Sequence, residues 1–253
     1  MTVAVGVLAM AASVCHLGRP AYAFRAVLGI RRSWLSREIV AFTTFALLAT
    51  AHGGALLADA GGGPESVLGI LAAMAGAAGV ACSALVYAAT RRAWWALPRT
   101  SAKFALSSVA MGAAAVMVTS LVSAAMTGGS VSARAALELV PGLAVVAVAA
   151  TAAKLVGEAA DLRHLRAGGS EELRRSVQLL VGPLSDATKW RFAAGVVAVL
   201  AAAAVVPVAG ASTVLTVLGL TGLSLGSLVA GELVERWQFF TAAAPPRMPA
   251  RPS

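Results

Sequence analysis

Titratable side chains are scarce in this chain, and the first of them crowd into residues 16–39, HLGRPAYAFRAVLGIRRSWLSREI. The stretch holds one of three histidines, five of the twenty cationic residues and the first acid, Glu38. A histidine and a carboxylate at a membrane surface suit one class of reaction. Oxidising a quinol releases two protons and two electrons, so each hydroxyl needs a hydrogen-bond acceptor tunable near neutral pH and a route for protons to water. His16 and Glu38 have the chemistry for that, and Arg19 and Arg25 have the charge to steady an anionic intermediate or a partner's carboxylates. Lys154 and Glu232, each ending an apolar run, join them by depth on the same side. The plainer alternative is that these residues mark helix ends and reach back to water along their apolar stems. Types and spacing leave both readings open.

The elements that must position these residues are membrane helices. Of 253 residues, 59% are hydrophobic and only 12% are charged, against roughly 25% charged in an average soluble domain. Crossing a bilayer core takes roughly 20 apolar residues in helix. Seven runs qualify or nearly do: 2–17, 39–58, 66–89, 104–126, 135–156, 192–210 and 212–234. All are rich in Ala and other small residues, which lets helix backbones approach closely in lipid. The expected fold is an all-α, polytopic membrane helical bundle of about seven transmembrane helices. Residues 1–241 are expected to form one helical domain, and 242–253 a disordered tail rich in Pro and Arg. A signal peptide at residues 2–17 is the rival reading, but a basic leader segment is missing.

Charge alternates from one connection to the next. Nineteen cations fall on the side of His16 and one, Arg134, on the other, while the connection after residue 58 carries only Asp59 and Glu65. The positive-inside tendency places the His16 side and the C-terminus in the cytoplasm. Phe24, Val27, Leu28 and Leu35 share a helical face with Arg25 and Arg32 roughly opposite, so an interfacial helix is expected after the first span, ending near Gly29. Residues 157–190 form the longest polar stretch. Gly168 and Gly169 break it, Glu171 and Glu172 open a helix, and the apolar 177–184 is expected to lie on the membrane.

Several functions fall away. The net charge of +9 sits in loops rather than on one soluble face, so no nucleic-acid partner is expected. Cys15 and Cys82 lie inside apolar runs without cluster-ligand spacing, so no iron–sulfur cluster is expected in this chain. A haem between helices needs two axial ligands at similar depth. His52 lies 13 positions beyond Ile39, about 20 Å deeper than His16 at 1.5 Å per residue. His164 is in a polar connection, so no haem is expected. His52 reads most simply as a satisfied histidine near the far side, with a role in a proton path as the lesser alternative.

The opening stretch resembles a known family, the membrane anchor subunits of dimethyl sulfoxide reductase, distant relatives of polysulfide-reductase-type membrane subunits. The family pattern H-L-G-x-P, then A-F, then S-x-L-S-x-E-I reads here as His16-Leu17-Gly18-Arg19-Pro20, Ala23-Phe24 and Ser33-Trp34-Leu35-Ser36-Arg37-Glu38-Ile39, without gaps. Gly231-Glu232-Leu233 with Arg236 and Phe239 is a second match, and Gly182-Pro183-Leu184 through Trp190-Arg191 a weaker one. The resemblance implies a subunit that holds a molybdopterin catalytic subunit and an iron–sulfur subunit on the bacterial cytoplasmic membrane, oxidises menaquinol and passes electrons to the nearest cluster in anaerobic respiration. In the family the histidine and glutamate of these motifs are associated with the quinol site, and they map onto His16 and Glu38. Two departures stand out. Family members have eight crossings, with the histidine motif ending the second, whereas this chain begins inside what would be that helix. The best-known members also place the motif on the outer face, opposite to the charge bias here.

Two other classes compete. A small-molecule or ion transporter would suit the small residues and few buried charges, but no internal repeat and no pair of broken helices is present. A purely structural anchor that has lost quinol chemistry would carry the same His16 and Glu38.

Overall fold

The computed structural model describes residues 28–58, 63–165 and 170–243. The first expected span with His16, the residues Arg19 and Arg25, all of the expected interfacial helix but its end, and the tail beyond residue 243 lie outside them. The described residues form seven α-helices and no strand: α1 (Trp34–Leu57), α2 (Gly63–Ala88), α3 (Leu97–Thr127), α4 (Ser130–Leu162), α5 (Glu171–Val181), α6 (Ser185–Val208) and α7 (Val214–Thr241). All but α5 are long and apolar enough to cross a bilayer. The protein is an all-α, multi-pass membrane protein.

These six helices coincide with six of the expected apolar runs but extend further, mostly at the cation-rich ends. α1 starts at Trp34 rather than near Ile39, α4 continues eight residues past Lys154, and α7 continues nine past Glu232. Apolar run length measures the lipid-facing part of a helix. The backbone stays helical beyond it wherever the charged residues of the next turns find partners.

The chain divides into two compact units, residues 1–91 and 92–253. In the first, α1 and α2 form an antiparallel hairpin. Rings on α1 lie in notches left by glycines on α2. A Cβ at Gly79 would come within 2.7 Å of the Phe42 ring, one at Gly76 within 3.2 Å of Phe45, and one at Gly69 within 3.3 Å of His52. These positions step along α1 by three and then seven residues, so they lie on one helical stripe. Ser33 caps α1, its side chain accepting from the Ser36 amide. Arg37 donates to the carbonyls of Ile30 (2.9 Å) and Arg31 (3.1 Å) and lies 4.2 Å above the Trp34 ring, which fixes the turn leading into the helix.

In the second unit α3, α4, α6 and α7 pack in a ring, α3 on α4, α4 on α6, α6 on α7 and α7 on α3. Its centre is built from small side chains, among them Ala114, Ala144, Ala147, Ala198 and Ala202, with Met117, Leu121, Val140, Val205, Val217 and Leu228 filling between them. Gly128, in the left-handed conformation at φ 63°, ends α3 and reverses the chain into α4 within two residues. The outward positions carry Leu and Val, as lipid requires.

The amphipathic α5 differs from its expected place. Ser170 caps it and Glu171 and Glu172 occupy its first turn, as the sequence indicates. Its apolar face, however, is covered by protein rather than by the membrane. Leu173, Val177 and Leu180 pack with Trp94 of the 3-10 turn Ala93–Trp95 and with Ala242 and Ala243 after α7. Burial against other side chains removes the same apolar area from water that a bilayer surface would.

Candidate functional site

Glu38 sits in the first turns of α1, half-buried, where the hairpin brings Ser83 of α2 opposite it. The Ser83 hydroxyl donates to Glu38 Oε1 and also lies 3.1 Å from the Gly79 carbonyl of its own helix. Glu38 is thus a carboxylate oriented, among the described residues, by one hydroxyl on Oε1. The Phe42–Gly79 contact lies one turn below it and holds the two helices close enough for the serine to reach. At the other end of the same stripe, the His52 ring lies against Gly69, and its buried Nδ1 has no hydrogen-bond partner among the described residues. Gly69 leaves room for the ring but presents no side-chain acceptor.

Lys154 and Glu232 are brought together in the second unit. Lys154 Nζ donates to Glu232 Oε1 at 2.7 Å and Oε2 at 2.5 Å, and to Ser107 Oγ at 2.6 Å. Ser107 lies in turn 2.7 Å from Glu232 Oε2 and donates to the Lys103 carbonyl at 2.7 Å. Arg191 of α6 reaches Glu158 (3.0 Å) and Glu232 (3.3 Å) through Nη2. Glu235 lies 3.7 Å from Lys154 and 3.5 Å from Lys103, and Asp161 lies 2.9 Å from Arg99 and 3.9 Å from Lys103. Four cations and four acids from four helices therefore form one connected cluster. The Lys154 side chain is 2% exposed and that of Arg191 also 2%. Gly231 makes the Arg191 position feasible, because a Cβ there would lie 3.0 Å from Nη1.

This cluster answers one of the open readings. Lys154 and Glu232 do not reach back to water; they are sequestered and paired with each other. With four cations and four acids the cluster is charge-balanced, and its ion pairs link α3, α4, α6 and α7. Arg99 and Lys103 stand in the sequence only as connection charge, Arg191 also as part of the weaker family match, and Glu158, Asp161 and Glu235 carry no motif of their own. Their spacing did carry a signal. Arg99 and Lys103, then Lys154, Glu158 and Asp161, then Glu232 and Glu235 recur at intervals of three or four, which puts each set on one helical face.

Residues 1–241 match the family model described as DMSO reductase anchor subunit (DmsC). A similar curated protein is a sulfite dehydrogenase subunit of Allochromatium vinosum, 32% identical over 185 residues, which is 68% of this chain and 52% of the relative. The chain thus spans about half the length of that relative. No solved structure matches the chain.

Proposed function

The chain belongs to the DMSO reductase anchor subunit family, and from that membership we propose that it anchors a molybdopterin catalytic subunit and an iron–sulfur subunit in the bacterial cytoplasmic membrane and oxidises menaquinol for them. The observation that carries the reading is the state of Glu38. It is half-buried at the cation-rich end of α1, oriented by Ser83, and follows the His16 motif at the family spacing.

The two-electron oxidation of a quinol frees two protons. His16 accepts one and Glu38, directly or through a linked water, accepts the other. The two electrons leave for the nearest cluster of the iron–sulfur partner. Arg19 and Arg25 steady the anionic quinone intermediate or the partner's carboxylates, and the arginine-rich connections guide subunit encounter by complementary charge. The charge bias favours a cytoplasmic position for this end, whereas family analogy favours the outer face.

A second reading is favoured by the relative's name. By its name a sulfite dehydrogenase withdraws electrons from its substrate; in a complex of that kind this chain would deliver them to quinone. The same site run in reverse has His16 and Glu38 supplying the two protons that quinone needs.

The test is a titration of a fluorescent quinol analogue against membranes carrying the assembled complex, with and without His16→Leu and Glu38→Gln. Saturable binding lost in both variants supports a quinone site at the opening stretch. Absence of saturable binding in the native complex overturns it and leaves the anchoring role alone. Assaying the same membranes for quinol-supported DMSO reduction and for sulfite-supported quinone reduction then separates the two directions.

A further inference from the structure

The buried ion cluster borders a partly open cavity of about 30 Å³ in the second unit, lined by Trp94, Lys103, Thr188, Arg191, Glu235 and Gln238 together with apolar side chains such as Leu180 and Phe239. Three of these residues carry buried polar atoms with no hydrogen-bond partner among the described residues: Trp94 Nε1, Arg191 Nε and Nη1, and Glu235 Oε1. Trp94 is 4% exposed, Arg191 1% and Glu235 4%. An unsatisfied buried polar atom costs roughly 1–3 kcal/mol, and more when it is charged, so native proteins seldom leave several around one cavity.

We propose that this cavity is an internal water site, holding one or two waters that bridge the Trp94 indole, the Arg191 guanidinium and the Glu235 carboxylate. A cavity needs roughly 10–15 Å³ to hold one water and the water needs two to four polar partners; this cavity has the volume, and Trp94, Arg191 and Glu235 in its lining carry the unpartnered polar atoms. The lining selects water over other small ligands. Trp94 and Arg191 offer only donors, while Glu235 offers only an acceptor in its charged form. A halide would satisfy the donors but face the carboxylate, and a metal ion would face the guanidinium. Water donates and accepts at once. The neighbouring ion pairs agree with this. Lys103 Nζ lies 4.9 Å above the Trp94 ring and 3.5 Å from Glu235 Oε1, longer than a direct charged hydrogen bond, so it leaves that oxygen available. Gln238 does not compete for the cavity, because its amide nitrogen donates to Thr188 Oγ1 at 2.8 Å. The water site explains how a cluster of eight charges tolerates burial: bridging water supplies the hydrogen bonds that side-chain geometry leaves unmade.

Radiolytic hydroxyl-radical labelling tests this on the full chain in detergent, because bound internal water generates radicals beside the residues it touches. Trp94 and Met117 are both buried, Met117 at 0% exposure in the apolar core. The expected result is Trp94 oxidised several-fold faster than Met117 in the native protein. A Leu180→Phe variant, which places a ring at the cavity wall, should suppress Trp94 labelling while leaving Met117 labelling unchanged. Trp94 oxidised no faster than Met117 in the native protein would overturn the proposal. So would Trp94 labelling that persists unchanged in a folded Leu180→Phe variant.

Discussion

Lys154 is held by five oxygen atoms, two from Glu232 and one each from Ser107, Glu158 and Glu235. Removing one member of a buried ion pair strands the other, which costs about 3–5 kcal/mol, whereas replacing both with apolar groups is often neutral. Lys154→Met alone should therefore destabilise the chain by about 3–5 kcal/mol, read as a lower unfolding midpoint in detergent. The double variant Lys154→Met with Glu232→Leu should recover much of that loss. A double variant no more stable than the single would mean that the remaining carboxylates, Glu158 and Glu235, set the penalty. Ser83 is the residue-scale test of the other site. Its hydroxyl orients Glu38, so Ser83→Ala should slow quinol-supported turnover by about 3–10-fold, the worth of one hydrogen bond, without loss of assembly.

At the scale of elements, the α1–α2 hairpin depends on close approach. Phe42 fills the notch at Gly79, and the Glu38–Ser83 contact lies one turn away. Gly79→Ala puts a methyl 2.7 Å from the ring, an overpacking that should cost about 1–3 kcal/mol. Gly53 lies on the same helix as Phe42 but has open space around its Cβ position. Gly53→Ala should instead be neutral or stabilising by roughly 0.5–1 kcal/mol through helix propensity. Thermal unfolding of both variants reads the contrast; equal midpoints would show that the ring moves aside at no cost. In the second unit, four helices contribute to the ion cluster, so a shift of any one along its axis breaks several pairs at once.

For the molecule as a whole, four crossings in the second unit bring residue 243 to the same end as residues 92–96, with Gly128 and Gly129 at the other. Reporter fusions after residue 129 and after residue 243 should read opposite sides of the membrane, and from the distribution of cations the latter is expected to read cytoplasmic. A cytoplasmic reading of the first fusion would follow the family analogy instead, and would mean that the basic ends were selected for docking an acidic partner rather than for orientation.

The spans and their number among the described residues were legible from composition alone, because a long apolar run in lipid has no stable form but a helix that satisfies its own backbone. The family was legible too, from the residues around His16 and Glu38, as was the start of α5 from Ser170 and its two acids. The fate of the charges was not. A lysine at the end of an apolar run looks the same whether it reaches water or a carboxylate, since its partners lie far along the chain: Ser107 is 47 positions from Lys154 and Glu232 is 78. The same holds for α5, whose apolar face suited a bilayer surface as well as it suited Trp94 and Ala242. Local sequence determines which surfaces must leave water; only the packing of distant helices decides what covers them.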